Sequence, residues 1–170
     1  MDDTTVKVQW KWLKYNIDQE TSKIARCLIT GDTTGDIGNE IQTDGSQFDA
    51  NYCKRKITEG CSKIEDMLYK FFSSLVISNE DGAISLDADD TLLHDAISWE
   101  LTFSNFGDRR NIDPKLLATE IHQYLVLYVL QDWCKLTHPK MEEDYIARLT
   151  AEEGKLKSIV FRKGEPKRPE

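Results

Sequence analysis

From Tyr124 to Leu130 the chain reads YLVLYVL, seven residues whose only polar atoms are two tyrosine hydroxyls. The run sits inside a longer stretch, KLLATEIHQYLVLYVLQDWCKL, opened by Asp113 and Pro114 as N-cap and first helical residue. A helix packed on one side shows a polar face about every second turn. This one shows none for two turns, so it must be covered all round. A single chain with three or four helices just suffices for that cover, and neighbouring subunits would supply it more easily. The sequence reading therefore expects Tyr124, Leu127 and Tyr128 to face another subunit.

The rest of the chain is read around that helix. The opening VKVQWKWLKYNIDQETSKIARCL supports two periods. Val6, Val8, Trp10 and Trp12 alternate as in a strand, whereas Trp10, Leu13, Ile17, Ile24 and Leu28 follow helical spacing. A helix over roughly 9–28 with an extended start is expected. Residues 30–46 carry four glycines among Asp, Thr, Asn and Ser and read as a long loop, flexible or interfacial. After Ser46, a capping residue placed three before Asp49, the apolar positions Cys53, Ile57, Cys61, Ile64, Leu68, Phe71, Phe72 and Leu75 predict a helix over 48–76. Gly60 on its inner edge suits a close helix crossing.

Residues 80–105 read as a β-rich insert, a small hairpin in which Ile97, Trp99, Leu101 and Phe103 alternate with polar neighbours. Beyond the apolar helix, Thr137 and Pro139 start a last helix. Its stripe is Met141, Tyr145, Leu149, Leu156, Ile159 and Val160, and Gly164 and Pro166 stop it. The short connection makes these two helices an antiparallel hairpin. The expected fold is mainly α: an antiparallel helical bundle of about four helices over residues 1–162, with a small β-hairpin insertion and an extended basic tail at 163–170.

Charge divides the chain. From Lys155 onward there are six basic residues against two acids, a balance of +4, which leaves −12 on residues 1–154 of a chain whose net charge is −8. Six cations on an acidic body suit an acidic protein partner better than phosphate, so no sequence-specific nucleic acid is expected. No stretch approaches the ~20 apolar residues of a membrane span, and the start MDDTTVKVQW lacks the features of a secretory signal. The reading is a protein made in a cytoplasm. Cys27, Cys53, Cys61 and Cys134 lack C-x-x-C spacing and read as reduced, buried thiols.

Sites of chemistry are sparse. Asp87, Asp89, Asp90, His94 and Asp95 cluster, but without the spacing, glycine and closing Glu of a calcium loop, and read as a solvated acidic turn. His122 is not in an H-E-x-x-H arrangement and reads as a core or interface histidine; His138 reads as a turn or capping residue. Asp132 beside Trp133 and Cys134 reads as a helix-end acid near Lys135. No nucleophile elbow or glycine-rich phosphate loop occurs. No catalytic residue, metal or cofactor is expected.

The layout as a whole resembles a family of small structural proteins of phages and prophages of gut Bacteroidetes, crAss-like phages among them. The resemblance rests on IHQYLVLYVLQDW, EEDYIARLTAEEGKLKSIV, the tail FRKGEPKRPE, the opening VKVQWKWLKYNIDQETSKIA and the ISWELTF strand. In that family the chain closes on a basic, proline-containing end, from which KGEPKRP differs by a glycine and a glutamate. The resemblance implies a virion component of the head-to-tail connector or neck, a ring of copies contacting portal or tail proteins. It implies no catalytic residues, and carries over only Trp133 and the Arg162–Pro169 tail, with Arg162, Lys163, Lys167 and Arg168 as interface candidates. A second reading is a small acidic phage protein that binds and inhibits a host factor.

Overall fold

The computed structural model describes residues 3–29, 47–79, 82–83, 96–104 and 112–161 of the chain. The expected loop over 30–46, the acidic cluster at 87–95 and the tail at 163–170 lie outside the described residues, as does Arg162. Strand β1 (Thr4–Gln9) runs directly into helix α1 (Trp10–Ile29), and helix α2 (Gln47–Met67) follows. Strands β2 (Phe72–Asn79), β3 (Gly82–Ala83) and β4 (Ser98–Phe103) come next, then helix α3 (Pro114–Thr137), a short 3-10 helix (Pro139–Met141) and helix α4 (Glu142–Phe161). The described residues form a four-helix bundle with a small antiparallel sheet, ordered β1-β4-β2-β3.

Both periods of the opening segment are used in turn. Val6 and Val8 point into the core from β1; from Trp10 onward the spacing is helical, with Trp10, Leu13, Ile17 and Ile24 buried. Trp12, the last member of the alternation, is 56% exposed because the strand has already ended.

The expected helix over 48–76 is two elements. Its inner stripe holds from Cys53 through Leu68, all buried. The chain then turns, with the Phe71 and Phe72 amides both donating to the Leu68 carbonyl, and continues as β2. Leu68, Phe71, Phe72 and Leu75 keep a three-to-four spacing that fits a helix, but Ser73 and Ser74 supply no helical face and Val76 and Ile77 are β-branched. Cross-strand pairing decides the matter: Leu75 stands opposite Leu101 and Ile77 opposite Trp99. The sheet is thus larger than a hairpin insertion, and β1 joins it from the other end of the sequence, Val6 against Leu101 and Val8 against Trp99.

Helix α3 is the axis of the bundle. Asp113 caps it, its carboxylate accepting from the Lys115 amide at 2.9 Å, with Pro114 in the first turn. Thr137 does not cap the following helix; it closes α3, its hydroxyl donating back to the Trp133 carbonyl at 2.8 Å. Helix α2 lies antiparallel to α3, tied by Tyr52 donating to Asp132 near one end and Tyr128 donating to Glu59 at 2.7 Å further along. Helix α4 packs antiparallel on another side, and Tyr145, Leu156 and Val160 of the expected stripe are buried.

The close crossing at Gly60 is present. A Cβ there would stand 2.9 Å from Leu125 Cδ2 and 3.3 Å from Tyr128 Cδ1. Alanine gains about 1 kcal/mol of helix propensity, but displacing packed side chains costs about 1–3 kcal/mol. Gly60→Ala is expected to destabilise by about 1 kcal/mol net, whereas Gly154→Ala, whose Cβ meets nothing within 4 Å, is expected to stabilise by about 0.5–1 kcal/mol. Urea unfolding of both variants checks the contrast.

Candidate functional site

The apolar run of α3 is covered by its own chain. Tyr124, Leu125, Val129 and Leu130 are 0–1% exposed, Val126 and Leu127 7%. Helices α1, α2 and α4 and strand β1 all pack on α3, which accounts for the cover without a second molecule. The expectation that Tyr124, Leu127 and Trp133 face another subunit is therefore corrected: Trp133 is also buried, at 8% exposure. Three helices and the edge strand β1 surround α3, and the strand is the cover that the reading of a helix-only bundle around it left out. Tyr128 is half-buried, and its hydroxyl is engaged with Glu59 on the same chain.

Asp132 likewise belongs to the bundle. It accepts from Tyr52 and lies 3.6 Å from the Lys56 ammonium, so it ties α3 to α2 and does not pair with Lys135. Cys53, Cys61 and Cys134 are buried thiols. Burial pushes the Cys61 thiol well up and Cys134 to about 11, leaving neither as a thiolate nucleophile near neutrality. Among the described residues no three His, Cys, Asp or Glu side chains converge on a metal position. No helix among them is long and apolar enough to cross a membrane.

Polar groups gather in a cleft of about 380 Å³ between α1, α3 and α4. Each helix contributes a strip at three- and four-residue spacing, which places those side chains on one face. Asn16 and Glu20 come from α1; His122, Gln123, Val126, Leu127 and Leu130 from α3; Arg148, Ala151, Glu152 and Lys155 from α4. Val126, Leu127 and Leu130 supply its apolar lining and the other side chains its polar groups.

At the α1 side, the Asn16 amide nitrogen is 2.8 Å from His122 Nε2 and 3.0 Å from the Trp12 carbonyl. Its two hydrogens satisfy both acceptors if the imidazole is neutral at Nε2, and burial does lower the His122 pKa. At the α4 side, Glu152 is 3% exposed. Its Oε2 accepts from Lys155 Nζ at 2.8 Å, while Oε1 has no hydrogen-bond partner among the described residues. Lys155 Nζ lies 3.8 Å from Glu120, which brings a second carboxylate to the same corner. Burial raises the Glu152 pKa, and Glu120 raises it further against the opposing effect of Lys155.

These groups give opposite pH dependences. Glu152 binds its proton more tightly in the folded chain than unfolded, so its contribution is fully present below the ordinary value of 4.5 and falls as the pH rises through the folded value. The contribution of neutral His122 is complete above its ordinary value of 6.5 and is lost as the pH falls below that. Glu152→Gln is expected to raise stability at about pH 8 by on the order of 1 kcal/mol and to change it little near the ordinary carboxylate value. Urea unfolding at both pH values tests this.

Sequence reading missed the cleft, though one signal was there. The buried positions of α4 are Tyr145, Glu152, Leu156 and Val160, so an acid stands in the apolar stripe. No family model, curated protein or solved structure matches this chain.

Proposed function

We propose that the protein is a structural subunit of a phage virion, a ring-forming adaptor between portal and tail. It folds as a single chain and associates afterwards through its surface and its basic carboxyl-terminal segment. One observation carries the reading: the opposed charges of the acidic body and of the segment that continues from α4 beyond Phe161. Heterologous contact between such a donor segment and an acidic neighbour closes a ring when the rotation per subunit permits. Exposed apolar side chains support it, among them Trp12, Tyr69 and Leu136, the last two 67% and 69% exposed. The resemblance to phage connector-type proteins points the same way. Exposed ion pairs contribute only ~0–1 kcal/mol each, so the tail sets geometry and the apolar contacts supply strength.

The test is sedimentation of the full chain over rising concentration, alone and with a portal protein. The expected result is a monomer when dilute and a larger closed species when concentrated or co-expressed, weakened by removing residues 163–170 with helix content intact. A strictly monomeric species under all these conditions contradicts the reading.

A second reading, an acidic phage protein that binds and inhibits a host factor, is favoured by the self-contained core, which needs no second copy. Recovery of the protein from purified particles supports the first reading; its presence only in infected-cell lysate supports the second.

A further inference from the structure

We propose that the cleft between α1, α3 and α4 binds an uncharged sugar ring, as a mono- or disaccharide. The inference goes beyond the assembly reading and does not depend on it.

Size and position suit a small-molecule site. The cleft measures about 380 Å³ and lies between helices of a bundle, a place where such sites occur at about 300–1,000 Å³. Charge then narrows the ligand. Two cations, Arg148 and Lys155, line the cleft together with two acids, Glu20 and Glu152. Each already has a partner: Arg148 pairs with Asp144 at 2.9 Å, Lys155 with Glu152 at 2.8 Å, and Glu20 with Lys23. A charged ligand would have to compete with one of these pairs and would meet like charges in the same lining. An uncharged ligand displaces none of them.

Hydrogen-bonding capacity narrows the class further. The Asn16 amide gives its two hydrogens to His122 Nε2 and the Trp12 carbonyl, which leaves its own oxygen as an acceptor. His122, accepting at Nε2, carries its hydrogen on Nδ1 and is a donor there. Gln123 is exposed at the cleft and its amide is unused among the described residues, so it offers both roles. Hydroxyl groups, which donate and accept alike, match such a mixed set. Val126, Leu127 and Leu130 add an apolar lining, and Trp12 adds an aromatic surface beside it. Trp12 is 56% exposed and stands four residues before Asn16, on the same face of α1, about 6 Å along the helix. An exposed indole next to amide and charged groups packs on the C–H face of a sugar ring. A linear polyol lacks that face, and a hydrocarbon lacks the hydroxyls.

The experiment titrates glucose, galactose, mannose and N-acetylglucosamine, near neutral pH, into isotopically labelled full-length protein and follows its amide resonances. The expected result is saturable movement of the Asn16, His122, Gln123 and Val126 amides with at least one of the four, at a dissociation constant on the order of 1 mM. Gln123→Ala, an exposed change that leaves the core intact, weakens binding about five- to tenfold. Trp12→Ala weakens it about two- to tenfold. Glucuronate, glucosamine and sorbitol, the first two charged and the third without a ring, bind more weakly than the best of the four. The proposal is overturned if none of the four moves these amides well above that concentration, or if a charged analogue or sorbitol binds as tightly. Unchanged affinity in Gln123→Ala and Trp12→Ala alike also overturns it. A chain that binds sugar and never assembles keeps the cleft assignment and loses the adaptor reading; one that assembles and binds no sugar does the reverse.

Discussion

Leu125→Ala is expected to lower the unfolding free energy by about 2–5 kcal/mol, with no change in the mass of the dilute protein. Leu125 is fully buried on α3 and approaches Gly60 of α2, so the space left by its truncation is bounded by two helices already in close contact. Neither can move inward far without disturbing the Tyr128–Glu59 and Tyr52–Asp132 links beside it. The loss therefore combines lost transfer free energy with a cavity that relaxes only in part. Against a marginal stability of about 5–15 kcal/mol, such a loss is large. Urea unfolding measures it, and sedimentation of the variant separates a core defect from an interface defect.

Trp99→Ala is expected to cost about 3–5 kcal/mol. Trp99 is fully buried on the central strand β4, with Val8 opposite on one neighbouring strand and Ile77 on the other. Its indole nitrogen donates to the Thr58 hydroxyl at 3.0 Å, and that hydroxyl in turn donates to the Lys54 carbonyl. The residue thus joins sheet to helix by both packing and a hydrogen bond. Trp99→Phe retains most of the packing and isolates the second contribution, which Thr58→Val should reproduce at about 1–3 kcal/mol because the indole N–H is then left unpaired.

The parts of the fold legible in the sequence were those where one period dominates. Cys53 to Leu68 and Met141 to Val160 follow a helical stripe, Asp113-Pro114 marks a helix start, and Ile97 to Phe103 alternates. The junction at Leu68–Leu75 was not legible, because its spacing satisfies a helix while the partner that makes it a strand, β4, lies more than twenty residues away. The Tyr124–Leu130 run was read as covered all round, which holds at each position but the half-buried Tyr128, and the cover comes from the chain itself where the reading preferred neighbouring subunits. Local sequence shows that a surface must be hidden; only tertiary arrangement shows what hides it. The cleft escaped notice for a related reason. Glu152 looks like any exposed acid in AEEGK until its place in the apolar stripe beside Tyr145, Leu156 and Val160 is seen, and Asn16 and His122 are brought together from 106 residues apart.

The self-sufficiency of this core is tested most directly by hydrogen exchange on the protein at a dilution where sedimentation finds monomer alone. The amides of Leu125–Leu130 should exchange among the slowest in the chain, through global unfolding only. Rapid exchange of those amides in the monomer, slowing only once copies associate, would mean that another molecule supplies the cover.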